Sequence, residues 1–71
     1  GDFVQAAVNI EKLKLLLPNN PRVDYNSALV YVALNNREKA LADLKEGLKY
    51  SSIDHETGRL IEEFIKQLTA E

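Results

Sequence analysis

Laid over itself with an offset of 34 residues, the chain repeats its own pattern. Ala6 falls on Ala40, Ile10 on Leu44, Leu13 on Gly47 and Pro18 on Ser52, while Val30 falls on Phe64, Tyr31 on Ile65 and Leu34 on Leu68. Self-similarity at such a period is the signature of a stacked supersecondary unit that buries its apolar face only against its neighbours. The stretch carrying the unit is Pro21–Ser52, PRVDYNSALVYVALNNREKALADLKEGLKYSS. It reads as two amphipathic helices joined by a tight polar turn.

Apolar spacing extends this reading to both flanks. Phe3, Ala6, Ala7, Ile10, Leu13 and Leu17 recur at helical intervals over Asp2–Leu17, and Val4, Val8 and Leu15 form a second stripe on another side of that helix. Two stripes predict two packing neighbours. Pro18-Asn19-Asn20-Pro21 stops the helix, because proline cannot continue it and disfavours helical geometry in the residue before. Asn20 is the expected N-cap and Pro21 the first residue of a second helix reaching about Leu34. The apolar run Ala28–Leu34 alone is compatible with a buried strand; the cap and the repeat favour helix. Asn35-Asn36 make the next turn. Arg37–Tyr50 is the third helix, with Ala40, Leu41, Leu44 and Leu48 inward and Gly47 permitting a close helix–helix approach. Ser51 and Asp54 are spaced as in a capping box. The fourth helix is expected over about Asp54–Ala70, with Leu60, Ile61, Phe64, Ile65 and Leu68 on one broad stripe and Glu62 paired to Lys66 on its outer side. Short connections predict antiparallel neighbours.

At 71 residues the chain has room for one thin core. It contains no cysteine and a single histidine, so neither a disulfide nor a zinc site of the usual kind is expected, and no cofactor is implied. Lack of cysteine suits the cytosol but leaves the compartment open. Nine basic against eleven acidic residues give a net charge of −2, which argues against nucleic-acid binding, since phosphate neutralisation supplies most of that affinity. The longest apolar run is far short of the ~20 residues that span a membrane. Gly1-Asp2-Phe3 reads as mid-domain sequence with no signal peptide, so the start is expected to be a fragment boundary.

Within Pro21–Ser52 the pattern resembles the tetratricopeptide repeat (TPR) family residue by residue. Tyr25-Asn26 match the Tyr-Asn pair early in the first helix of that repeat. Ala28 fills its small-residue slot, Tyr31 the aromatic slot one turn later, Ala40 the small residue of the second helix, Leu44 the large apolar slot and Gly47 the following small slot. Ser52 stands where proline is usual. Gly1-Asp2-Phe3, Ala6 and Pro18 likewise resemble the turn, second helix and closing proline of a preceding repeat. The resemblance implies an all-α fold of antiparallel helix-turn-helix hairpins, a fragment of a TPR-like right-handed solenoid of about four helices. Its parts would be 1–18, the second helix of a partial repeat; 19–52, one full repeat; and 53–71, a C-terminal capping helix. Asp24 and Ser27 depart from the family's usual tryptophan and leucine, which implies looser packing of the second helix on the first. Glu62 replaces a small residue, as suits a terminal cap facing solvent.

In that family the first helix of each unit lines a concave groove for an extended peptide or a partner helix. Carried over, the partner-binding positions are Arg22, Tyr25, Asn26, Leu29, Val32 and Ala33, joined by Arg59, Glu63 and Lys66 from the last helix. Tyr25 and Asn26 are also ordinary structural residues of the repeat, whereas exposed Leu29 and Val32 would have a binding reason or pack on a neighbouring helix. The clamp that one branch of the family uses for a terminal carboxylate is unsupported: Asn26 matches one of its asparagines, but Glu56 and Leu60 stand where its later lysine and arginine would be. Val4, Val8 and Leu15 are the expected self-association face. His55 beside Asp54 and Glu56 reads as a solvated cluster, because adjacent helical residues point apart. Ser51-Ser52 suits capping better than catalysis, and Lys12, Lys14 and Arg22 read as a solvated face. The expected function is a non-catalytic protein–protein interaction module. The alternatives are a structural capping or self-association segment of a larger array, or a regulatory domain of an enzyme whose catalytic part lies elsewhere.

Overall fold

Capping side chains open three of the four helices. A computed structural model of the chain describes residues 2–70 and contains α1 (Phe3–Leu16), α2 (Pro21–Ala33), α3 (Arg37–Leu48) and α4 (His55–Thr69). There is no strand among the described residues, and Ala28–Ala33, the ambiguous apolar run, is helical. The all-helical expectation therefore holds.

α1 closes at Leu17, whose N–H donates to the Leu13 carbonyl at 2.8 Å, immediately before Pro18. Asn19 then takes a left-handed conformation, φ 65°, which asparagine tolerates better than most residues. The Asn20 side chain accepts hydrogen bonds from the Arg22 and Val23 N–H groups at 3.0 and 3.3 Å, and Pro21 occupies the first helical turn, where no N–H is needed. Asn35 and Asn36 close one helix and open another. Asn35 is left-handed (φ 61°), its N–H donates to Val32 O, and the Asn36 N–H donates to Tyr31 O, the pairing of a Schellman C-cap. The Asn36 side chain in turn accepts from the Lys39 N–H and caps α3. α3 ends at Leu48, two residues before the expected Tyr50, and continues as overlapping turns through Ile53. At α4 the expected capping box is replaced by a single residue. Asp54 accepts from both the Thr57 N–H (3.1 Å) and the Thr57 hydroxyl (2.8 Å), while Ser51 packs against Gly58 and caps nothing.

Tyr31 lies by Lys39, Ser27 by Asp43 and Asp24 by Gly47, so α2 and α3 run antiparallel. α4 reverses again on α3, bringing Ile61 to Gly47 and Gly58 to Ser51. It thereby runs in the same direction as α2, with Arg22 meeting Asp54 at one end and Tyr25 meeting Phe64 further along. The Cα atoms span 34 × 31 × 15 Å. Packed helix axes lie about 8–10 Å apart, so the short dimension holds no more than two helices in depth.

The core is small. Ala28, Ala40, Leu44 and Ile61 are completely buried, and Tyr25, Tyr31, Leu48, Phe64, Ile65 and Leu68 pack around them. Alanines at the α2–α3 contact let the two backbones approach, and Gly47 does the same for α3 and α4. A Cβ on Gly47 would stand 2.8 Å from Ile61 Cδ1 and 3.1 Å from Asp24 Cβ. α1 rests on α2 with no fully buried residue of its own; Ala6, Ala7, Ile10 and Leu13 are half-buried, whereas Phe3 and Leu17, expected on the same stripe, remain exposed. Glu62 is exposed and makes no ion pair with Lys66, contrary to the pairing expected from their spacing.

Candidate functional site between α2 and α4

Where two parallel helices splay, the side chains between them are covered from below and open above. α2 and α4 do this around an edge-on aromatic pair, Tyr25 and Phe64, with ring centroids 5.8 Å apart and planes at 66°. Leu29 and Leu60 rise on either side of it, 45% and 49% exposed. Together with Glu63 and Gln67 these residues line an open cleft of about 170 Å³. A second depression of about 410 Å³ continues along α4 over Glu56, Arg59, Leu60 and Glu63. Two half-exposed leucines over an aromatic floor are an apolar surface that the core does not consume.

The residues expected on a partner-binding face divide into groups. Tyr25, Leu29 and Glu63 meet in the cleft, and Arg59 lies in the adjoining depression. Asn26, Val32, Ala33 and Lys66 are exposed but outside both. Arg22 is turned away: its guanidinium donates to Asp54 at 3.2 Å and lies in a depression between the α1–α2 and α3–α4 turns. Leu60, Phe64 and Gln67 complete the cleft and were not expected in it. Leu60 belongs by spacing to the apolar stripe of α4, yet that stripe covers roughly 140° of the helix, wider than one neighbour can bury. Its edge position is the signal in the sequence that separates Leu60 from Ile61.

A second constellation lies on the other side of α2, and Lys14, expected on a solvated face, is at its centre. The Lys14 ammonium donates to Asp43 at 2.8 Å and to Glu11 at 3.3 Å. Lys39 donates to the same Asp43 oxygen at 3.1 Å, and the Ser27 hydroxyl donates to the other at 2.6 Å. The Tyr31 hydroxyl donates to Glu11 at 2.6 Å, and both lysine ammonium groups stand within 6 Å of its ring centroid, Lys14 at 5.8 Å and Lys39 at 5.2 Å. Burial alone would raise the Asp43 pKa, but the hydrogen bonds from Lys14, Ser27 and Lys39 outweigh it and hold the carboxyl below its ordinary range. The hydrogen bond from Tyr31 lowers Glu11, and the same bond pushes the Tyr31 phenol up to about 12. Burial would likewise lower Lys14, and the Asp43 contact reverses it. Every acid in this group is matched by a cation or a donor, which describes a structural tie between α1, α2 and α3 better than a reactive centre. Asp24, next along α2, is different: it is 8% exposed, its carboxyl receives no hydrogen bond, and burial pushes its pKa up to about 6.

Among the described residues no group of three or more histidine, cysteine or acidic side chains is placed to hold a metal, and His55 stands exposed at the start of α4. No helix is long and apolar enough to cross a membrane. Comparison with protein-family models, curated proteins and solved structures finds no match to the chain.

Proposed function

We propose that this chain is a non-catalytic protein-interaction module of the tetratricopeptide type, a short right-handed solenoid whose α2–α4 cleft receives a segment of another protein. The observation that carries the reading is the pair of half-exposed leucines, Leu29 and Leu60, flanking the Tyr25–Phe64 contact. The solenoid part is supported by Ala28 and Ala40 sharing one core, by the tight Gly47 contact, and by α2 and α4 running in the same direction. Repeat arrays present such parallel first helices as a continuous binding face. A peptide library displayed on phage, selected on the native chain and counter-screened on Leu29→Asp, tests the reading. Enriched peptides that lose binding to the variant, whose fold circular dichroism finds intact, are the expected result. Peptides indifferent to Leu29, or no enrichment, would sink it.

A second reading rests on α1. Val4, Val8 and Leu15 are 67%, 45% and 84% exposed and form an apolar stripe that nothing covers among the described residues. Self-association through this face, in a chain whose role is to cap or join an array, is the alternative that these side chains favour.

A further inference from the structure

We infer that the α2–α4 cleft selects a peptide segment in which one apolar anchor has a lysine or arginine directly beside it. The inference rests on the cleft being the binding surface and adds the chemistry of its occupant. The cleft itself is about 170 Å³ and opens onto the depression over Glu56 and Arg59, a surface along which an extended segment can lie. The cleft suits a single leucine-sized side chain, and Leu29, Leu60 and the Tyr25–Phe64 edge supply an apolar wall for it.

The cleft lining proper carries one charge, and it is negative. Glu63 is the charged residue lining the cleft, and among the described residues no cation pairs with it. Arg59 and Lys66, one turn to either side on α4, stand beyond ion-pair distance, and Arg22 is held by Asp54. The adjoining depression adds both a carboxylate, Glu56, and a guanidinium, Arg59, so the selection rests on Glu63 alone. An anchor lowered between Leu29 and Leu60 therefore places a neighbouring residue of its segment against a carboxylate that no cation among the described residues pairs. Gln67, one turn beyond Glu63, has no side-chain hydrogen-bond partner either and offers a donor and an acceptor to the segment's backbone. An acidic neighbour to the anchor would meet repulsion at the same place, so the carboxylate contributes discrimination as well as attraction.

Two blocked hexapeptides, GSLKSG and GSLESG, titrated to about millimolar concentration and followed by amide NMR, test this. The lysine peptide is expected to shift the Leu29, Leu60 and Glu63 resonances and to bind about fivefold more tightly than the glutamate peptide at low salt. Glu63→Gln should remove the difference, and Glu63→Lys should invert it. Equal binding of both peptides, lost together in Leu29→Asp, would overturn the charge selection while leaving the cleft as the binding surface. Failure of both peptides to move those resonances would overturn the two readings together. Broadening of Leu29 and Leu60 that depends on protein concentration and not on peptide would make a second copy of the chain the occupant and overturn the inference as well.

Discussion

Gly47 of α3 faces Ile61 of α4 so closely that a methyl group on Gly47 would lie 2.8 Å from Ile61 Cδ1. Ile61 is completely buried, so its side chain cannot simply swing aside, and Asp24 Cβ closes the space from α2 at 3.1 Å. Alanine is the better helix former by about 1 kcal/mol. Overpacking a filled core costs about 1–3 kcal/mol. Gly47→Ala is therefore expected to lower stability by up to about 2 kcal/mol in urea unfolding. Ile61→Val removes the opposing methyl and should cost less in the Gly47→Ala background than in the native one. Additive losses would locate the strain elsewhere.

Asp24 makes stability depend on pH in an unusual direction. Burial raises its folded pKa to about 6 from 3.8; Asp43 and Glu46 on α3 add to the rise, while Lys14 on α1 and Lys39 on α3 oppose it. The folded state thus holds the Asp24 proton more tightly than the unfolded chain. Stability falls as pH climbs from about 4 to about 6, and the loss is complete above that window. Asp43 and Glu11 are depressed and act oppositely, losing their contribution only as pH drops below the ordinary carboxylate range. Asp24→Asn is expected to raise stability at neutral pH by on the order of 1–3 kcal/mol and to flatten the slope between pH 4 and 6. Denaturant melts across that range measure both, and an unchanged slope would mean Asp24 is solvated.

The parts of this fold that are legible in the sequence are those decided within a few residues. Asn20 and Pro21 announce a helix start because a cap bonds to N–H groups two or three positions on, and Asn35-Asn36 announce a turn because asparagine tolerates the left-handed conformation found at Asn35. Gly47 was legible as a close approach because a glycine inside a helical pattern costs about 1 kcal/mol relative to alanine and signals a packing reason. The Lys14–Asp43 tie joins residues 29 apart, and no local rule distinguishes such a lysine from a solvated one. For Leu60 and Ile61, adjacent apolar residues on one stripe, only the edge position of Leu60 hints at the difference, and burial is settled by Gly47 of α3 receiving Ile61. Arg22 lies outside the cleft for a similar reason, since Asp54 accepts its hydrogen bond from 32 positions away.

The tie among α1, α2 and α3 is expected to behave as a unit. Lys14→Met leaves the nearly buried Asp43 with Lys39 and Ser27 alone, which should cost about 1–3 kcal/mol. Tyr31→Phe removes the 2.6 Å bond to Glu11, and because Glu11 is part-exposed the loss should be nearer 1 kcal/mol. In the double variant the effects should differ from their sum by about 0.5 kcal/mol or more, since both act through Glu11. Strict additivity would reduce the cluster to separate surface pairs.

The exposed stripe of α1 carries its own expectation. A stable interface buries about 800 Å² on each partner. Val4, Val8 and Leu15 contribute only three side chains, interrupted by the charged Glu11 and Lys12, and Glu11 is already engaged by Tyr31 and Lys14. Pairing of two such faces would therefore be weak, with the chain monomeric at micromolar concentration and associating near millimolar. Val8→Asp places a charge at the centre of the stripe on a 45%-exposed site, so it should abolish association at little cost in stability. Sedimentation equilibrium over that range decides the matter: a strict monomer at the highest concentration would remove self-association through α1, and association that survives Val8→Asp would move it to another surface.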